Sequence, residues 1–425
     1  MKRALWLAGF VVSVLAAVSR VTTQAPAAAW WAHVAFLADD RLKGRETGSP
    51  EHREAAEYIA RQFKDAGLQP AGTDGYFQSV PFRSRSIVEE RSSLSLVRGS
   101  EVVPVVLGDE ATFSMRIEPA AHVEAPIVFA GYGLQVPESK HDDLAGLDLK
   151  GKVVMLLTGG PSSIPGPLLA HYQNTRWSYL KQAGAIGVIS IQNPKGQDIP
   201  WDRSKLARFL PSMAIADPAL DETAGQQLAV TVNAAAAEKF FVGSGHRFAE
   251  LLELSNAGQV LPRFTIPASV RATVAIDAQS LRSDNVAGIL PGTDPVLKNE
   301  YIIVSAHLDH VGTGKGSGDV IYNGAMDNAS GIATLIETAK AAAAKKGNKR
   351  SIIFLAVTAE EKGLLGSRYF ANKPTVAAKS IVADLNTDMS TRRADEPRTV
   401  QAAVGFRFAR GSTGRFIRRP PTRSA

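Results

Sequence analysis

Between residues 305 and 388, side chains bearing nitrogen or oxygen donors recur in the order His, Asp, Glu-Glu, Asp, each just past a short apolar run. They fall in Ser305-Ala306-His307-Leu308-Asp309-His310, Ala325-Met326-Asp327-Asn328, Thr358-Ala359-Glu360-Glu361 and Asp384-Leu385-Asn386-Thr387-Asp388. Carboxylates and an imidazole gathered from several strand ends suit a pair of divalent zinc ions. A free glutamate beside them suits hydrolysis by metal-activated water. Taken singly, each residue has a plainer reading: His307 as a satisfied semi-buried histidine, Glu360 and Glu361 as the acidic first turn of a helix, Asp327 as a helix N-cap. It is their joint occurrence that points to a metal centre.

The elements needed to position these residues are legible. Tyr301-Ile302-Ile303-Val304, Ser351 to Val357 and Ser380-Ile381-Val382-Ala383 are apolar runs rich in β-branched residues, the pattern of strands buried on both faces of a parallel sheet. Between them, Ile332, Leu335, Ile336 and Ala339 recur at helical spacing from Gly331 to about Lys346, and 364–371 predicts a shorter helix. Alternating strands and helices predict a doubly wound α/β domain with a mixed or parallel sheet, whose sites form at the carboxyl ends of the strands.

In these four motifs the chain resembles the di-zinc aminopeptidases of the MH clan, which include bacterial leucyl-type aminopeptidases and the catalytically silent transferrin receptor. The resemblance covers roughly residues 33–389. It implies two Zn2+ ions per chain, with His307 and Asp388 on one, Glu361 on the other and Asp327 bridging both. Glu360 becomes the general acid/base, and Asp309 holds the His307 ring from behind. The partners it implies are peptide substrates, and no nucleic acid.

The resemblance also calls for one further histidine ligand well beyond Asp388. The chain has eight histidines, none of them after His310. The ion held by Glu361 and Asp327 is thereby left with two protein ligands, where catalytic zinc ordinarily keeps three plus water. His310 is near in sequence, but the sequence gives no geometric reason to place it there. On that ligand count the chain is expected to be weakly active or inactive.

At 425 residues there is room for two domains with real cores, and 45% apolar with 21% charged residues is the composition of a folded soluble protein. The absence of cysteine excludes disulfides, thiolate metal sites, a cysteine nucleophile and a lipidated cysteine anchor. Lys2-Arg3 followed by the uncharged apolar stretch Ala4–Val18 predicts a cleaved secretory signal over residues 1–25, export to a periplasm or beyond, and no lasting membrane anchor. Residues 26–111 begin the peptidase domain. Within them Gly44-Arg45-Glu46-Thr47-Gly48-Ser49 reads as a capped helix start, with no catalytic role for Arg45.

From about residue 112 to 264 the composition shifts to short β-like runs broken by Gly, Pro and Asp. Lys150-Gly151-Lys152-Val153-Val154 and Ala183-Gly184-Ala185-Ile186-Gly187-Val188-Ile189 resemble the protease-associated domain inserted in such peptidases, a β-rich module expected to shape the cleft entrance without supplying catalytic residues. The catalytic half resumes over 265–389. The last segment, 390–425, holds nine of the 48 basic and two of the 41 acidic residues, which leaves 39 of each elsewhere, so the net charge of +7 belongs to this tail. The tail is expected to be non-native, from a frame shift near Met389; a solvated or polyanion-binding extension is the alternative. Three functions stay open: an exported zinc aminopeptidase, a single-zinc relative of the glutaminyl-cyclase kind, and a non-catalytic binding protein.

Overall fold

The apolar runs at 301–304 and 351–357 form inner strands of a sheet in this computed structural model, which describes residues 27–314 and 317–389; the run at 380–383, expected to be buried on both faces, is instead the edge strand, with Val382 exposed. The expected leader at 1–25 and the arginine-rich tail at 390–425 lie outside the described residues. The chain divides into two units, one built from the segment up to Val80 together with the segment from Ser283 onward, the other from Pro81–Arg282.

In the first unit a helix over residues 27–37 (α1) and α2 (Pro50–Asp65) precede β1 (Gln69–Pro70) and β2 (Phe77–Ile87). Strand β3 (Ile276–Leu290) begins within the second unit and leads out of it, and β4 (Tyr301–His307), α3 (Ser330–Lys345), β5 (Ser351–Val357), α4 (Leu365–Asn372) and β6 (Ile381–Asn386) follow. The strand order is Ser212–Ile215, β2, β3, β5, β4, β6, with β1 on β3. Strand β4 runs parallel to β5 and β6, while β3 is antiparallel to β5, so the sheet is mixed.

Strand alternation sorts the apolar side chains onto two faces. Val304, Ala306, Phe354 and Ala356 pack with Ala55, Ile59 and Phe63 of α2 and Ile332, Leu335 and Ile336 of α3. Ile303, Ile353, Leu355 and Val357 pack with Phe370 of α4 on the other. Burial on both faces is why these strands read as unbroken apolar runs, and a fully buried phenylalanine such as Phe354 is worth about 3–5 kcal/mol against alanine. Helix α2 starts where its capping residues predict: Ser49 Oγ accepts the His52 amide at 3.0 Å, and Pro50 occupies the first turn.

The second unit is an eight-stranded mixed sheet in the order 101–105, 93–98, 263–273, 122–130, 153–157, 187–191, 228–232, 111–113. It is wider than the 112–264 expected from composition, because Ser93–Arg98 pairs with Arg263–Thr273 and with Glu101–Val105. Residues on both sides of the compositional shift are thereby sheet partners. Among the described residues, no helix is long and apolar enough to cross a membrane.

Candidate metal centre

His307 is the last residue of β4, Glu360 and Glu361 lie just past β5, Asp388 just past β6, and Asp327 in the turn Ala325–Ala329 that leads into α3. All sit at the carboxyl edge of the parallel strands, where open α/β sheets place their sites. His307 Nε2 is 3.0 Å from Asp327 Oδ1 and 3.4 Å from Asp388 Oδ1. Zinc bonds of about 2.0–2.1 Å in tetrahedral geometry set ligand atoms about 3.3–3.4 Å apart, so this triplet already has close to the required spacing. Nε2 is buried and close to both carboxylates, yet its direction gives it a hydrogen bond with neither. Leaving such a group unpaired costs about 1–3 kcal/mol; a cation shared with Asp327 and Asp388 would remove that cost.

The other ring nitrogen fixes the tautomer. His307 Nδ1 lies 3.1 Å from the backbone carbonyl oxygen of Asp309, which can only accept, so Nδ1 carries the proton and Nε2 offers its lone pair. Asp309 thus holds the ring through its main chain; its carboxylate stands 3.8 Å away. That carboxylate, wholly buried, instead accepts the amides of Glu360 at 3.0 Å and Glu361 at 3.3 Å and the Thr47 hydroxyl at 3.0 Å.

A second group adjoins the first. One donor atom from each of His310, Asp327 and Glu361 lies within 4.8 Å of the others, and Asp327 belongs to both groups. His310 Nδ1 and Glu361 Oε1 are hydrogen-bonded at 2.6 Å.

Asn328, completely buried, ties the Asp327 turn to the Asp388 loop. Its Oδ1 accepts the amides of Gly331 at 2.9 Å and Met389 at 3.2 Å, and its Nδ2 donates to Thr387 O at 3.1 Å. Gly331 permits this approach, since a Cβ there would stand 2.1 Å from Asn328 Oδ1. Arg45 is the buried tie on the opposite side. It donates from Nε to Leu308 O at 3.0 Å, from Nη1 to Leu37 O and to Asn323 O at 2.7 Å, and from Nη2 to Gly324 O at 3.1 Å. Four carbonyls from three segments thereby converge on one planar cation. Burial pulls the Arg45 guanidinium down to about 10, against the charges of Asp309, Asp327 and Glu361.

The adjacent glutamates titrate in opposite directions. Burial pushes Glu360 above the ordinary glutamate range; His307 opposes this, while Asp309, Glu361 and Asp388 add to it. Burial also acts to raise Glu361, but the His310 hydrogen bond and the charges of His310, His307 and Lys362 bring it below its ordinary value. Two carboxylates driven apart in this way suit two roles, Glu360 as a proton carrier and Glu361 as a permanent anion. Burial raises Asp309 as well. His307 is pulled down by burial and, on balance, raised by Asp309, Glu360, Asp388 and Asp327.

The residues singled out in the sequence come together: His307, Asp327 and Asp388 in one group, Asp327 and Glu361 in the other, Glu360 and Asp309 beside them. Four participants were not among them. His310 and Asn328 lie next to predicted residues, but their direction depends on loop geometry; Thr47 and Arg45 stand in the Gly-Arg-x-x-Gly-Ser stretch, which reads as a helix cap.

Residues 285–414 match the family described as peptidase family M28. The match continues past Met389, beyond the motifs that carry the resemblance. Over 143 residues the chain is 30% identical to a probable zinc metalloprotease of Pyricularia oryzae, covering 32% of this chain and 28% of that protein. Over 156 residues it is 33% identical to aminopeptidase NAALADL1 of Mus musculus, covering 34% and 19%. The chain thus spans less than a third of the length of these relatives. Among solved structures it is similar to an aminopeptidase from Aneurinibacillus sp. strain AM-1, with 22% identity, a TM-score of 0.48 and coverage of 85% of this chain and 70% of that one.

Proposed function

We propose that this protein is a zinc metallopeptidase of the aminopeptidase kind, with His307, Asp327 and Asp388 holding one zinc ion, Asp327 and Glu361 extending towards a second, and Glu360 as general acid/base. The observation that carries this is the His307 Nε2 lone pair, buried, without a hydrogen bond, and facing two carboxylates at 3.0 and 3.4 Å. The M28 match over 285–414 supports it, since it spans all five of these residues.

A bound zinc ion supplies a Lewis acid and lowers the pKa of its water to about 7. Three protein ligands around His307 are enough for that chemistry. The chain's own residues do the rest. Asp309 sets the positions of the Glu360 and Glu361 main chains, and its carbonyl holds the His307 ring so that Nε2 is the nitrogen facing the ion. Glu360, with its raised pKa, accepts the proton of the attacking water as the water oxygen bonds to the scissile carbonyl carbon. It then delivers that proton to the amide nitrogen as the C–N bond breaks, leaving a free carboxylate and a free amine. The unit over 81–282 contributes none of these residues, and the motifs at 150–154 and 183–189 support reading it as a protease-associated insert.

Aminopeptidase action requires a free amino terminus. Leucine p-nitroanilide is expected to be hydrolysed at least about 100-fold faster than its N-acetylated counterpart, because a site built for a charged group rejects the analogue lacking it. Equal rates on the two would rule out the aminopeptidase assignment.

A further inference from the structure

The sequence motifs assign two protein ligands, Glu361 and Asp327, to the second ion, and one donor atom of His310 lies within 4.8 Å of both. We infer that His310 is the third ligand of that ion, so that the end of β4 and the loop after it supply one imidazole to each of two divalent cations. The inference rests on the metallopeptidase function proposed above and assigns a residue that the motifs left aside.

The geometry favours coordination. His310 Nδ1 and Glu361 Oε1 point at each other across 2.6 Å, and Asp327 completes a set whose donor atoms all lie within 4.8 Å. A proton now lies between nitrogen and carboxylate, the place a cation takes when it displaces that proton. With bonds of about 2.0–2.1 Å the two atoms need to open to about 3.3 Å, a shift of well under an ångström. The His310 side chain is 14% exposed and that of Asp327 39%, so the site is anchored on one side and open to an entering ion on the other.

The His310 main chain is held independently of any ion. Its amide donates to Arg45 O at 3.3 Å, and it forms an isolated bridge with Glu46. Gly324 makes room for the ring: its φ is +61°, and a Cβ there would stand 2.7 Å from His310 Cδ2. One imidazole and two carboxylates is a donor set that zinc accepts. His307 and His310 flank Asp309, whose carboxylate is occupied by the amides of Glu360 and Glu361 and does not compete for either ion.

Titration of zinc into the metal-free full chain, followed by calorimetry and repeated with cobalt(II) by visible absorption, tests this. The wild type is expected to take two ions in two steps, and His310→Ala one, with the first step unchanged. His310→Gln gives the same readout should the alanine variant fail to fold. A role confined to orienting Glu361 costs only about 10–100-fold in affinity, so a second step that persists within that range overturns the ligand assignment. A wild type that binds one ion also overturns it and leaves the metallopeptidase proposal standing. A wild type that binds none overturns both.

Discussion

The amide of Glu360 donates a 3.0 Å hydrogen bond to Asp309 Oδ1, joining residues 51 apart in the chain. The same buried carboxylate receives the Glu361 amide and the Thr47 hydroxyl. One anion therefore fixes where two acids leave strand β5, and its carbonyl fixes the ring of the metal-facing histidine. Since acid/base efficiency depends on placement within a few tenths of an ångström, the function of Glu360 is set as much by Asp309 as by its own chemistry.

Replacing Glu360 by Gln keeps the side chain's size and its amide bond to Asp309 but removes the proton acceptor. Turnover on an aminoacyl p-nitroanilide is expected to fall by about 10²–10⁴-fold, with zinc content unchanged. A variant that loses zinc in parallel with activity would make Glu360 a ligand instead of a base.

Arg45 binds carbonyls beside two of the acidic residues, Leu308 before Asp309 and Gly324 before the Asp327 turn. Arg45→Met leaves these buried acceptors unpaired, at about 1–3 kcal/mol each, and is expected to lower the unfolding free energy by roughly 3–5 kcal/mol in denaturant titrations. Arg45→Lys should recover only part, because an ammonium cannot span four carbonyls in a plane. A loss under about 1 kcal/mol for Arg45→Met would show that the guanidinium is not the tie described.

His52 is buried against Ser283 Oγ, at 3.1 Å from Nδ1, and Thr358 Oγ1, at 2.9 Å from Nε2. Burial, with Arg45 and Arg53, holds its pKa down to about 3 from 6.5. A depressed histidine stabilises the fold above its unfolded pKa, and that stability is lost as pH falls from about 6.5 towards 3, with a slope of up to about 1.4 kcal/mol per pH unit. His52→Gln can keep the two hydroxyl contacts without titrating. Unfolding free energies measured between pH 7.5 and 4.5 are expected to fall more steeply in the wild type than in the variant, and identical slopes would contradict a neutral buried His52.

Strands β4 and β5 were legible because they are buried on both faces: Ile303, Val304, Ile353 and Phe354 leave no polar position to break the run. Glu360 and Glu361 were legible because they follow such a run, whereas Asp327 stands in the turn before α3 and Asp388 beyond the edge strand. His310 was not, since spacing along a loop does not say which way a ring turns; the direction comes from the Gly324 turn and the Arg45 carbonyl. Arg45 and Thr47 were hidden for a related reason. Their partners Leu308 and Asp309 lie more than 260 positions away, and nothing local marks a capping loop as an anchor for a distant site. The breadth of the second unit was obscured because composition registers where turns cluster, whereas strand 93–98 belongs by its pairing to residues 269–273.

Zinc content and hydrolysis of leucine p-nitroanilide, followed on the same full chain through removal of metal by a chelator and its stepwise return, test the metallopeptidase function most directly. Activity is expected to fall to background as zinc is withdrawn and to return with it, beginning with the ion held by His307, Asp327 and Asp388. Turnover that survives zinc removal, or a zinc-loaded chain that cleaves no unblocked aminoacyl substrate, would contradict it.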